Sequence, residues 1–62
     1  MLIKLVGALP TRLKDLNLKP GDKFTAEPSP NPTNFGAVQF EVEIDDEYHI
    51  CTVNEYNYVR IG

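Results

Sequence analysis

From Val38 to Ile44, apolar and polar side chains alternate without a break. Val38, Phe40, Val42 and Ile44 form one series, and Gln39, Glu41, Glu43 and Asp45 form the other. On a strand, successive side chains point to opposite faces; on a helix the same residues would scatter around the axis. The segment therefore predicts a half-buried antiparallel strand, with four apolar residues inward and the carboxylates toward water. Such a strand needs neighbours in its own sheet and a second layer to cover its apolar face.

The chain is 62 residues long, which limits how that cover can be built. A domain of this size buries only about 60% of the surface its unfolded chain exposes. Residues 1–62 are read as one small domain, with no room for two lobes or a deep cleft. Large pockets usually form where such parts meet, so an enzyme is not expected. Hydrophobic residues at 42% and charged residues at 24% fit an ordered globular domain. The longest uncharged apolar runs, Leu5–Pro10 and Ile50–Val53, are too short for a membrane span. The opening residues show no basic region followed by an apolar run. No signal peptide and no membrane partner are expected, and a cytoplasmic location is. Cys51 is the one cysteine; it can form neither an internal disulfide nor a metal-ligand spacing. No phosphate-binding loop or dinucleotide fingerprint occurs, so no cofactor is expected.

The remaining elements follow from local patterns. Leu2–Leu9 reads as a strand that Gly7 loosens and Pro10 ends. Leu9, Leu13 and Leu16 fall at i, i+4 and i+7, which predicts either one or two helical turns near residues 10–18 or a loop whose leucines plug one end of the fold. Lys19-Pro20-Gly21-Asp22 is a turn, because Pro presets φ and Gly accepts positive φ. Lys23–Glu27 alternates with Phe24 and Ala26 inward. Pro28–Asn34 carries three prolines at alternate positions, which cannot donate to a sheet ladder, so it reads as a stiff loop. Asp45-Asp46-Glu47 marks a hairpin turn that lacks glycine. A two-residue type I′ turn prefers Asn-Gly or Asp-Gly, so a four-residue loop suits it at least as well. Either even-length loop is read as pairing Ile44 with His49. An even-length loop turns His49, Cys51 and Val53 inward and Tyr48, Ile50 and Thr52 outward. Asn54–Asn57 reads as a polar turn, and Tyr58–Ile61 as a last strand. Five short strands in so short a chain must curl to bury both ends. The fold class expected is all-β with minor α, built as a small, partly open, five-stranded antiparallel barrel.

Charge is unevenly spread along the chain. Lys4, Arg12, Lys14, Lys19 and Lys23 against Asp15 and Asp22 give +3 over the first 23 residues. From Phe24 onward, Glu27, Glu41, Glu43, Asp45, Asp46, Glu47 and Glu55 against Arg60 give −6. Interleaved strands in a compact barrel are expected to cancel much of this dipole in space. With a net charge of −3, nucleic acid is not the expected partner.

The order of parts resembles an SH3-like barrel. Asp15-Leu16-Asn17-Leu18-Lys19-Pro20-Gly21-Asp22-Lys23-Phe24 is similar to that family's diverging turn and second strand. Asn34-Phe35-Gly36 falls where the n-Src loop ends, and Asp45-Asp46-Glu47 falls at the distal hairpin. Val53-Asn54-Glu55-Tyr56-Asn57-Tyr58-Val59 looks like the 3₁₀ turn and last strand. The corresponding N-terminal segment, Leu5–Leu9, has no tyrosine, and the chain has no tryptophan. Only Asn57 and Tyr58 match the family's ligand groove. The resemblance thus implies an architecture and not a polyproline ligand.

Three functional readings follow. Glu41 and Glu43 lie on the outward series, and Tyr48 and Ile50 are expected beside them, with Tyr56 and Tyr58 close by. Exposed tyrosine next to apolar surface is typical of interaction hot spots. The first reading is therefore a non-enzymatic protein-interaction module binding another protein through Glu41, Glu43, Tyr48, Ile50, Tyr56 and Tyr58. In this reading a homodimer through an edge strand is a further expectation. The second is a small inhibitor of the kind phages encode, whose acidic face imitates nucleic-acid phosphates and blocks a nucleic-acid-handling enzyme. The third, a nucleic-acid-binding barrel, requires the early basic residues to cluster. His49 and Cys51 are two apart on one strand, about 6.5–7 Å between Cβ atoms, and are read as core rather than as a catalytic pair.

Overall fold

The computed structural model describes residues 1–30 and 36–62. Over these residues the chain is mostly strand, with one helical turn. In chain order the elements are β1 (Leu2–Leu5), α1 (Thr11–Asp15), β2 (Lys23–Thr25), β3 (Glu27–Pro28), β4 (Val38–Ile44) and β5 (Glu47–Val53). A 3₁₀ turn at Glu55–Asn57 then leads into β6 (Tyr58–Arg60). The strands make two antiparallel three-stranded sheets, ordered β2–β1–β6 and β3–β4–β5.

Alternation decides which faces meet. Ile3 is opposite Phe24, and Leu5 is opposite Tyr58, on the inner face of the first sheet. Phe40 is opposite Cys51, and Val38 is opposite Val53, on the inner face of the second. Ile3, Leu5, Val38, Phe40, Cys51 and Val53, with Ala26, Leu9 and Leu13, form one buried cluster on which Phe24, Val42 and Tyr58 pack. Phe24 and Phe40 stack across the two sheets, with ring centroids 4.3 Å apart and planes within 16°. Offset ring pairs of this kind add about 0.5–1.5 kcal/mol beyond area burial.

In place of the one partly open five-stranded barrel expected from the sequence, the strands form two separate sheets. Among the described residues no ladder joins the two sheets, and the Lys23–Glu27 segment breaks at Ala26. Ala26 still exchanges two hydrogen bonds with Met1, its N–H to the Met1 carbonyl at 2.7 Å and the Met1 amine to its carbonyl at 2.8 Å. Past this point the chain leaves β1 and pairs with β4 through Glu27 and Gln39. One alternating segment thus serves both sheets, which gives six strands where five were read. The first strand also ends early, at Leu5 rather than Leu9, two residues before Gly7 takes a φ of 75°.

Of the two even-length loops, the turn between β4 and β5 is the two-residue one, and the expected pairing of Ile44 with His49 does not form. Ile44 pairs with Glu47 and Val42 with His49, leaving Asp45 and Asp46 as the loop. Their φ values of 52° and 64° are those of a type I′ turn. Aspartate tolerates this left-handed region better than most residues, because its short side chain can hydrogen-bond locally. The register moves by two residues from the Ile44–His49 pairing, so the inward and outward sets stay as read. The Pro20-Gly21 turn also forms as read, with Gly21 at a φ of 99° and the Lys19 N–H donating to the Asp22 carboxylate at 3.1 Å. In α1, Leu13 is buried; Leu9 before the helix and Leu16 at its C-cap also pack in or on the core, so the leucines face inward around a single helical turn. The loop assigned to Pro28–Asn34 lies outside the described residues from Asn31 onward, as does the Asn34-Phe35 part of the SH3-like match.

Candidate protein interface

The outer face of β4 and β5 is fixed by the same register that builds the core. Glu41 lies opposite Ile50, Glu43 opposite Tyr48, and Gln39 opposite Thr52. A two-residue hairpin closes on a hydrogen-bonded pair, so these three pairs are the alternate, non-hydrogen-bonded ones. Their side chains approach most closely, about 4.5–5.5 Å between Cβ atoms. Tyr48 is 69% exposed and Ile50 54% exposed. Glu41 and Glu43 are exposed as well, and among the described residues neither forms an ion pair. Two apolar surfaces and two free carboxylates thus share one sheet face.

The free edge of β5 is covered at one point. Arg12, on α1, donates a guanidinium N–H to the Ile50 carbonyl at 3.2 Å. The helical turn that packs Leu13 into the core therefore also holds a cation against this strand. The same guanidinium bears on Cys51. Burial pushes the Cys51 thiol pKa up, and the Arg12 charge partly opposes that. Cys51 is fully buried, in the core position read from the sequence. His49 is half-buried, and its Nε2 lies 3.9 Å from a Glu47 carboxylate oxygen.

Four of the six residues singled out in the sequence come together, and two do not. Tyr58 is on the inner face of β6, opposite Leu5, and its ring packs on the core. Its hydroxyl donates to the Gly36 carbonyl at 2.6 Å. Gly36 has a φ of 77°, which favours glycine, and a Cβ there would push the Glu55 side chain aside. This corner is at the far end of the hairpin, on the order of 20 Å along the strand from Glu43. Tyr56 is 79% exposed in the 3₁₀ turn, at the same remove from Tyr48. The three residues of β6 do not signal this by themselves; it follows from Tyr58 lying opposite the buried Leu5.

The structure adds residues that the sequence reading did not place here. A shallow depression of about 390 Å³ is lined by Thr25, Glu27, Gln39, Phe40, Glu41 and Ile50. Gln39 belongs to the outward series already visible in the sequence. Glu27 reaches this face only because β3 pairs with β4, a contact that spacing along the chain does not reveal.

The early basic residues divide. Lys4 and Lys23 are direct cross-strand neighbours on the first sheet, whereas Lys14 and Lys19 flank a separate hollow beside Leu9 and Leu18. Compared with known proteins, the chain matches no family model, no curated protein and no solved structure.

Proposed function

We propose that the protein is a non-enzymatic interaction module that binds another protein through the outer face of β4 and β5. Tyr48 and Ile50 supply the apolar contact, and Glu41 and Glu43 supply orientation. The observation that carries this reading is the exposure of Tyr48 and Ile50 on one sheet face, directly opposite two carboxylates that, among the described residues, are in no ion pair. Apolar side chains at the centre of a charged surrounding match the usual anatomy of an interface. The architecture we assign is the SH3-like five-stranded barrel, opened along one side, with β2 and β3 as a single strand bent at Ala26. The one-residue gap between them supports that reading. Tyr58 and Asn57, the two matches to that family's ligand groove, have structural duties here and are not assigned to the interface.

A second reading is favoured by a different observation. Glu41, Glu43, Asp45 and Asp46 follow one another along the hairpin, and among the described residues none of them is in an ion pair. In that reading the acidic face occupies the basic groove of a nucleic-acid-handling enzyme. Salt separates the two, because exposed charge pairs are largely screened beyond about 10 Å at 0.1 M ionic strength and apolar contacts are not.

Partner capture from cell extract tests both. Wild type, Tyr48→Ala with Ile50→Ala, and Glu41→Lys with Glu43→Lys are compared at low and moderate salt, with Lys14→Glu as a control away from the face. A specific partner retained by wild type and control but lost by the Tyr48/Ile50 variant at both salts supports the module. Loss by the Glu41/Glu43 variant, with release by salt, supports the inhibitor. Equal capture by all variants overturns both.

A further inference from the structure

The outer face of the other sheet carries the opposite character. Lys4 lies opposite Lys23 on one side and Val59 on the other. Leu2 and Ile61 follow at two-residue steps and are exposed, as is Val59. The Ile61 N–H donates to the Leu2 carbonyl at 2.8 Å, which holds the last strand's end beside β1. Among the described residues, neither Lys4 nor Lys23 is in an ion pair. Like charges directly opposite on neighbouring strands are unfavourable within the monomer, so this pair lacks a counter-charge that the chain does not itself place there.

From these two faces we infer that the protein associates head to tail with further copies of itself. The basic face of the β2–β1–β6 sheet docks on the acidic face of the β3–β4–β5 sheet of the next copy. Lys4 and Lys23 meet Glu41 and Glu43, while Leu2, Val59 and Ile61 cover Tyr48 and Ile50. The partner is a second copy because each copy carries both halves of the match: a cationic and an anionic face, each with exposed apolar residues and each without an internal counter-ion. The two sheets pack through their inner faces, so one molecule cannot bring its own outer faces together. The contact is heterologous and leaves one face free at each end, so it grows past the dimer. A three-stranded face is small, well under the roughly 800 Å² per partner of a stable complex, so the association is weak and concentration-dependent. The inference rests on the interface proposed above, since it names a partner for that face.

Sedimentation velocity of the whole chain tests it. At about 10 mM ionic strength the weight-average mass should climb with concentration beyond twice the 7.0 kDa monomer, and at about 1 M, where the screening length is near 3 Å, the association constant should fall at least tenfold. Lys4→Glu with Lys23→Glu and Glu41→Lys with Glu43→Lys should each lose association on the order of tenfold or more, because like charges then face each other. An equimolar mixture of the two variants should regain it. Circular dichroism confirms that each is folded; if either is not, the salt dependence of the wild type decides. A wild type that stays monomeric at low salt overturns the inference. So does a mixture that fails to recover, or a Lys4/Lys23 variant that loses only binding to a short single-stranded oligonucleotide. The Lys4/Lys23 variant keeps the β4–β5 face intact. If it still captures the foreign partner while wild type does not self-associate, this inference fails and the interaction module stands.

Discussion

Asn57 is half of the chain's match to a peptide-binding groove, yet its side chain is nearly buried. Its Nδ2 donates to the Ala8 carbonyl at 2.9 Å and to the Val6 carbonyl at 3.3 Å, while the Val6 N–H donates to the Asn57 carbonyl at 2.9 Å. One amide therefore ties the segment after β1 to the 3₁₀ turn before β6, 49 and 51 residues away in sequence. In Asn57→Ala both carbonyls lose a donor. A buried acceptor left alone costs about 1–3 kcal/mol, but Ala8 is exposed and Val6 half-buried, so water can recover part of that. The 3.3 Å bond is also the weaker of the two. We expect a net loss of about 1–2 kcal/mol, against a total stability of about 3–5 kcal/mol for so small a core. This corresponds to a melting temperature lower by on the order of 10 °C. Asn57→Asp keeps the shape but points oxygens at carbonyls, so it should lose more at neutral pH. That excess should shrink as pH falls, because a protonated carboxyl can donate one bond, and the folded pKa of such a group is raised. Thermal and urea unfolding followed by circular dichroism measure both. Asn54→Ala, which removes one exposed bond to the Tyr56 N–H at 2.9 Å, is the comparison. If Asn57→Ala costs no more than Asn54→Ala, the two carbonyl contacts do not hold the fold, and a role at the surface would have to be reconsidered.

Two further outcomes follow from particular residues. Asp46 sits at a φ of 64° in a type I′ turn that favours glycine; Asp46→Gly should raise stability by about 0.5–1 kcal/mol, read as a higher urea midpoint with unchanged slope. Cys51, fully buried with a raised pKa, should resist thiol reagents in the native protein and react only as the chain unfolds. The raised folded value means that stability contributed by the neutral thiol is complete below the unfolded pKa and is lost as pH rises from about 8.5 through the folded value. Wild type should therefore lose stability over that range relative to Cys51→Ala, and parallel pH profiles would count against the buried thiol.

What the sequence disclosed depended on how local the determinant was. Period two from Val38 to Ile44 specified both the strand and its inner face, because a slip of one residue would have turned every apolar side chain to water. Leu9, Leu13 and Leu16 signalled inward-facing side chains around one helical turn, although only Leu13 lies on the helix itself. The hairpin's register was not legible, because Asp-Asp is a weaker type I′ signal than Asp-Gly and both even-length loops leave the same residues inside. The division into two sheets was hidden as well. It depends on Ala26 bonding back to Met1 while Glu27 pairs forward with Gln39, and nothing in Lys23–Glu27 by itself announces that bend. The same gap explains the candidate face. Glu41, Glu43, Tyr48 and Ile50 are neighbours by a short-range hairpin, so the sequence placed them together; Tyr58 required knowing that Leu5 lies opposite it.

Charge followed the same rule with a sharper consequence. Strands interleaved in one barrel would have cancelled the excess of base before Lys23 and of acid after Phe24. The sheets instead divide close to where the charge changes sign. β1 and β2 come from the basic stretch, and β6 adds Arg60; β4 and β5 come from the acidic one. The strand that joins the two regions carries Lys23 into the first sheet and Glu27 into the second, with Phe24, Thr25 and Ala26 between them. Net charge therefore describes this molecule poorly. A value of −3 averages a cationic face and an anionic face, and at low salt an approaching molecule responds to the nearer one, since the screening length is then comparable to the size of the protein. Under the association proposed above, reversing Lys4 with Lys23, or Glu41 with Glu43, should weaken binding far more than the same change in total charge made elsewhere on the surface, a difference that sedimentation velocity at low salt would read.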